Sequence, residues 1–256
     1  MTTIPMSWGE MAYLDSGRSL PPLLFLHGTG CDASDWIPVT KNLARNQRCI
    51  ALDFRGHGQS GVPTQPFTLD SLAEDVEYFA HHLNLHELVI VGHSLGGMVA
   101  MEVARRSSCV GGLVLLEGWT SLSSAGSAFD TGRFYGLLSE AMIAQIQRKA
   151  EATRHRFQSE TWHDFWESVK NFDAYAYLQH ARVPILEVFG GMGRNDLTEE
   201  KLRIPSNPHI RWVWVPNAGH YLPHECPVEV AEVINNLRVC WVSLRSTQPT
   251  GTGFVS

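Results

Sequence analysis

The sequence predicts an α/β domain: a mostly parallel central sheet with helices on both faces and a helical cap insertion. Three observations predict it. Short apolar runs alternate along the chain with apolar residues at helical spacing, glycine-containing turns follow several of those runs directly, and one aromatic-rich helical stretch interrupts the alternation. At 256 residues the chain suits one main domain with insertions and can bury a sizeable core.

The predicted strands come first as Met11-Ala12-Tyr13-Leu14, then Leu23-Leu24-Phe25-Leu26 running into His27-Gly28, then Cys49-Ile50-Ala51-Leu52 ending at Asp53. Residues 88–91, 113–116, 185–189 and 210–215 continue the series. Unbroken apolar runs of this kind are what parallel strands look like when helices cover both faces. Between them, Leu69, Leu72, Val76, Phe79, Ala80 and Leu83 mark one helix face, with acidic residues from Asp70 to Asp75 suiting its N-terminal end. A second helix is expected from Pro227 to Leu237, with Pro227 in its first turn and Val230, Val233, Ile234 and Leu237 on one face.

Between Glu117 and Val183 the composition changes. A polar loop, residues 120–127, leads into helix-compatible sequence carrying Phe134, Tyr135, Phe157, Trp162, Phe165, Trp166 and other aromatics. An insertion at this point reads as a lid over the end of the sheet where α/β ligands bind, with its aromatics either packing it down or forming an apolar wall. The chain is thus expected to divide into a first core part (1–118), a helical cap (119–182), a second core part (183–245) and a flexible tail rich in Thr, Gly and Pro (246–256).

Composition excludes several classes of function. Hydrophobic residues make up 44% and charged residues 18%, as in an ordinary globular protein, and the formal net charge of −6 disfavours a nucleic-acid partner. Five scattered cysteines without a Cys-x-x-Cys pair suit a reducing compartment. The twelve histidines show no metal-binding spacing, so no metal and no cofactor are expected. With no signal-like N-terminus and no long apolar run, the expectation is a cytoplasmic protein without a membrane partner.

The chemistry is announced by Gly92-His93-Ser94-Leu95-Gly96, which follows the run ending at Val91 and opens a helix-compatible stretch. A nucleophilic serine needs a strained strand-to-helix turn, with flanking glycines that let the backbone bend and leave the hydroxyl clear. The alternative is a Gly-rich turn whose serine merely caps the helix. A serine hydroxyl must lose its proton as it attacks, so Ser94 requires a base and an orienting acid. His220, in Pro216-Asn217-Ala218-Gly219-His220 after the last strand, supplies the first, and Asp196, after the preceding strand, the second. The chain order Ser, Asp, His is that of the α/β hydrolases.

Four motifs then resemble that superfamily, over about Trp8 to Leu237. Leu26-His27-Gly28-Thr29 resembles its oxyanion loop, residues 53–60 (Asp-Phe-Arg-Gly-His-Gly-Gln-Ser) its Asp-x-x-Gly-x-Gly-x-Ser turn, residues 92–97 its nucleophile elbow, and Asn217-Ala218-Gly219-His220 its histidine loop. The resemblance implies Ser94 as nucleophile, His220 as general base and then acid, and Asp196 as the residue holding the imidazole tautomer. The backbone N–H groups of Thr29 and Leu95 would bind the oxyanion. The acid spacing departs from the usual Gly-x-x-Asp directly after the strand, since only Gly193-Arg194-Asn195-Asp196 restores it, and Glu117 is the rival. His224 is a competing base, His27 and His57 are expected to shape loops, His93 is expected to point away from the substrate side of Ser94, and Cys31, near the oxyanion loop, is expected to be a buried thiol, with a place in the pocket lining as the alternative.

Haloalkane dehalogenases and epoxide hydrolases resemble the chain from His27 to Trp36, but carry Asp at the elbow. Ser94 therefore points to a serine hydrolase that cleaves a carboxylic ester or lactone of an apolar, mid-sized small molecule through an acyl-enzyme. Cleavage of a C–C bond in a diketone, thioester hydrolysis, and a ligand receptor with little turnover remain alternatives on the same residues.

Overall fold

The computed structural model describes residues 1–17, 21–129, 134–192 and 199–246, with side chains of 127–129, 199 and 237–246 left aside. Its centre is an eight-stranded sheet in the order β1-β2-β4-β3-β5-β6-β7-β8. The strands are β1 (Thr2–Met6), β2 (Gly9–Asp15), β3 (Leu23–Leu26), β4 (Cys49–Leu52), β5 (Leu88–His93), β6 (Val110–Leu116), β7 (Ile185–Gly190) and β8 (Ile210–Val215). From β4 to β8 neighbouring strands run parallel, whereas β1 and β2 add an antiparallel edge.

β1 lies outside the strands expected from sequence. Its Pro5 argues against a strand, and only Ile4 of its five residues is buried. Pairing with β2 alone leaves it at the sheet edge, where a missing N–H is tolerated.

The longer helices are α1 (Leu69–His82), α2 (Leu95–Arg106), α3 (Glu140–His155), α4 (Ser159–Lys170), α5 (Tyr175–His180) and α6 (Pro227–Ser246). Thr68 starts α1 with a capping box, its hydroxyl accepting from the Ser71 N–H. α6 continues nine residues past the expected end at Leu237, and the tail from 247 onward lies outside the described residues.

Side chains alternate between the two faces along each central strand, and each face has its own core. Leu24, Leu26 and Ile90 pack with α1 and α2, whereas Leu23, Phe25, Val89 and Val91 pack with Trp36, Val230 and Ile234. Burial on both faces is the reason for the unbroken apolar runs. α3, α4 and α5 fall between β6 and β7; α4 and α5 join the first of these cores through Phe165, Val169 and Leu178, as does Phe157 ahead of α4, while Ile146 of α3 packs with Cys31 and Tyr221.

Candidate active site

The strand order reverses at β3: the chain leaves it for β4 on one side and returns to β5 on the other. In an open parallel sheet, the crevice beyond the carboxyl ends of such a pair is the natural ligand site. Thr29 follows β3, Ser94 follows β5, Glu117 follows β6 and His220 follows β8.

Ser94 is the N-cap of α2, with φ 53° and ψ −118°. A non-glycine residue held there costs about 1–3 kcal/mol and persists only where the surroundings enforce it. They do: a Cβ on Gly92 would collide with the Gly96 carbonyl, and one on Gly96 with the Leu26 carbonyl. The Ser94 N–H is tied to Leu116 O at 2.9 Å. Its side chain makes no capping hydrogen bond to α2, which removes the reading of Ser94 as a mere helix cap. The Leu95 N–H, at the first helical position, belongs to the set that has no partner within the helix.

His220 is 97% buried in a stack of rings. Phe134 lies over one of its neighbouring faces at 4.8 Å and 11°, and Trp119 stacks on it at 5.1 Å and 20°. Its N–H donates to Phe134 O at 3.0 Å, and its carbonyl accepts from His93 Nε2 at 2.9 Å. His93 therefore holds the histidine loop from below.

This corrects the expectation for His93, which lines the cavity and packs against His220 with ring centroids 4.9 Å apart. Burial and the His220 charge hold its pKa well below the ordinary histidine value. A neutral ring with its proton on Nε2 is the form that donates to a carbonyl.

Asp196 lies outside the described residues. Glu117, wholly buried, places Oε2 3.6 Å from His220 Nδ1, while Oε1 accepts the Gly190 N–H at 2.7 Å. Its backbone is left-handed, φ 52°, and Trp119 two residues on has φ 27°. One strained turn after β6 thus aims both a carboxylate and an indole at His220. The sequence offers Glu117 as the rival acid; that the Trp119 indole joins it at His220 depends on β6 lying between β5 and β7.

The remaining histidines have structural surroundings. His27 Nδ1 donates to Gly28 O at 2.7 Å and Nε2 accepts the Phe54 N–H at 3.0 Å. His57 is buried in the turn after β4, its pKa lowered to about 3 by burial and the neighbouring His27. That turn is closed by Asp53, whose carboxylate accepts from the Ala33 and Gln59 N–H groups at 2.7 Å, and by Ser60, whose hydroxyl donates to Asp53 O at 2.7 Å. His224 Nε2 stands 3.1 Å from Asp35 Oδ1. Cys31 is buried, and desolvation together with the Asp35 charge raises its thiol pKa well above the ordinary value.

A cavity of about 240 Å³ opens onto these groups, with Thr29, Ser94, Leu95 and His220 all in its wall. Met98, Trp119, Leu122, Phe134, Trp166 and Val169 supply its apolar side. Among the described residues none that lines it is Asp, Glu, Lys or Arg. Among the described residues no cluster of three His, Cys, Asp or Glu is placed to hold a metal ion, and no helix is long and apolar enough to cross a membrane.

The alpha/beta hydrolase family profile matches residues 23–233, and the chain belongs to that family. It is similar to the dihydrolipoyllysine-residue acetyltransferase component of an acetoin cleaving system from Pseudomonas putida, 37% identical over 99 residues, 39% of this chain and 26% of that protein. A haloalkane dehalogenase of Mesorhizobium japonicum is 32% identical over 115 residues, 44% of this chain and 37% of that one. The chain spans less than half the length of these curated relatives. Among solved structures, the N-acyl homoserine lactonase AidH complexed with N-butanoyl homoserine matches with a TM-score of 0.74 at 20% identity, over 98% of this chain and 99% of that one. At that identity the likeness is one of fold.

Proposed function

We propose that the protein is a serine hydrolase that cleaves a carboxylic ester or lactone with a neutral, apolar, mid-sized acyl part. The observation that carries this reading is Ser94: a strained helix-capping serine whose hydroxyl makes no cap bond and stands in the wall of an apolar cavity shared with His220. Such a hydroxyl serves nucleophilic acyl transfer, whereas the alkyl-ester chemistry of dehalogenases calls for a carboxylate at the same turn.

In the proposed reaction Ser94 Oγ attacks the acyl carbonyl carbon as His220 takes the hydroxyl proton. The tetrahedral oxyanion is bound by the N–H groups of Thr29 and Leu95, each worth about 3 kcal/mol of barrier. Collapse expels the alcohol oxygen, which receives the proton from His220; in a lactone it stays tethered to the acyl chain. Water, deprotonated by His220, then splits the acyl-enzyme to a carboxylic acid. Glu117 at 3.6 Å from Nδ1 stands at an ion-pair rather than a hydrogen-bond distance. We assign the tautomer-holding hydrogen bond to Asp196 and to Glu117 a supporting negative charge. Residues 119–182 act as the cap, their apolar wall receiving the acyl group.

The test is turnover of para-nitrophenyl butanoate and of a butanoyl lactone, with fluorophosphonate labelling, in wild type and Ser94→Ala. Wild-type turnover and labelling at Ser94, both abolished in Ser94→Ala, are expected. A wild type that neither labels nor turns over refutes the reading and favours a binding protein.

A further inference from the structure

The loop from His27 to Asp32 must hold the Thr29 N–H in place without regular secondary structure of its own. It is closed on itself by His27 Nδ1 and the Cys31 N–H, both donating to Gly28 O at 2.7 and 3.1 Å, and tied to the core by the Phe54 N–H donating to His27 Nε2 at 3.0 Å. From above it is covered by α3. Gly30, at φ 74°, approaches so closely that a Cβ there would lie 2.6 Å from Ala150 Cα. One position before, Lys149 Nζ lies 2.9 Å from Asp32 Oδ2 and 2.8 Å from Asp35 Oδ1. One turn earlier, Ile146 packs with Cys31 and Tyr221. Ile146, Lys149 and Ala150 are spaced three and four apart, so one helix face sits on the loop.

Asp35 is the junction. Its carboxylate accepts the Asp32 N–H at 2.8 Å, receives Lys149, and faces His224 of the histidine loop. Its side chain is only 9% exposed, and that of Lys149 23%, so this is not a solvated surface pair. Removing the ammonium leaves a buried carboxylate short of a partner, which is costly in a way that losing an exposed pair is not. Although burial opposes it, the His224 contact and the Lys149 charge hold the Asp35 carboxyl well below the usual range.

We propose that Lys149 is a positioning residue for the reaction: clamped between Asp32 and Asp35, it fixes the oxyanion loop, and with it the Thr29 N–H, from the inserted helix. The role of Thr29 rests on the ester-hydrolase reading; the mechanical anchoring of the loop does not. α3 is thereby a fixed part of the site, and the insertion contributes to rate as well as to selectivity.

The experiment compares the full chain with Lys149→Met, Lys149→Arg and Lys149→Gln. It reads kcat and KM for para-nitrophenyl butanoate, the rate of fluorophosphonate labelling, and hydrogen exchange of residues 27–36, with exchange of β7 reporting overall folding. For Lys149→Met we expect kcat and labelling to fall about tenfold with KM within about twofold, as for a weakened oxyanion donor. Exchange in 27–36 should rise about tenfold while β7 stays protected, and Lys149→Arg should restore most of kcat. If Lys149→Met loses β7 protection, Lys149→Gln takes its place in the comparison. Wild-type labelling together with wild-type exchange in a folded variant overturns the proposal. If the wild type itself neither labels nor turns over, the hydrolase reading falls, and the exchange of 27–36 alone decides the anchor: faster in the variant upholds it, unchanged overturns it.

Discussion

The two walls of the cavity are built by different physics. On the sheet side, Thr29, Ser94 and His220 stand on loops directly after strands, fixed by backbone hydrogen bonds, close glycine contacts and left-handed φ angles. On the insertion side, Leu122, Phe134, Trp166 and Val169 present apolar surface, with the Phe134 carbonyl accepting the His220 N–H. A wall held by backbone geometry and hydrogen bonds keeps atoms within tenths of an ångström, as transition-state stabilisation demands. A wall of packed side chains gives shape and dryness and changes cheaply with single substitutions. The first is suited to rate and the second to choice of substrate, yet Trp119, Phe134 and Lys149 of the insertion reach into the first.

The sharpest way to break this comparison lies at the two carboxylates proposed to serve His220. Asp196→Asn should reduce kcat by about 1,000-fold or more, since the imidazole then loses its tautomer control. Glu117→Gln should cost about tenfold, because it removes a charge 3.6 Å away while keeping a carbonyl for the Gly190 N–H. Steady-state kinetics on para-nitrophenyl esters checks both. The opposite ranking would transfer the orienting role to Glu117.

A smaller effect is expected on the insertion side. Trp166→Ala enlarges the cavity without touching Ser94 or His220, and should shift kcat/KM toward longer acyl chains by about tenfold relative to butanoyl, within the usual worth of a methylene or two in an apolar pocket. Fluorophosphonate labelling of Ser94 should stay within about threefold of wild type. A matching loss for every chain length would mean that the two walls do not divide the work.

What could be read from the sequence follows the same division. Strands β3 and β4 fall on the expected residues because buried parallel strands leave unbroken apolar runs, β8 does so although only Val215 of it is buried, and the elbow is legible because its glycines stand in sequence around Ser94, even though one of them is required by the distant Leu26 carbonyl. The direction of His93 is not legible in the sequence because it depends on the His220 carbonyl, 127 positions away. Glu117 reaches His220 only through the strand order. Lys149 carries no local signal at all: it lies in a helix of mixed polarity, and its meaning comes from two aspartates more than a hundred residues earlier.

Two buried glutamates, one just after β6 and one inside β7, extend the comparison from activity to stability. Glu117, just after β6, has the Gly190 N–H and the His220 ring beside it. Glu187, inside β7, is 2% exposed and its Oε1 has no hydrogen-bond partner among the described residues. Burial pushes its pKa up to about 8 from an ordinary 4.5. The folded state therefore binds a proton that the unfolded state has released, and stability falls as pH rises from about 4.5 to about 8, at up to about 1.4 kcal/mol per pH unit. His57 acts in the opposite sense: with its pKa near 3 instead of 6.5, the unfolded state binds the extra proton and stability rises with pH across that interval. The two slopes oppose each other up to about pH 6.5, beyond which Glu187 acts without that counterweight. Denaturant midpoints from pH 5 to 9 should show the wild type losing stability between 6.5 and 8 and Glu187→Leu holding level there, with turnover little changed. Equal slopes in the two proteins would mean that Glu187 finds in solution the partner its strand does not provide.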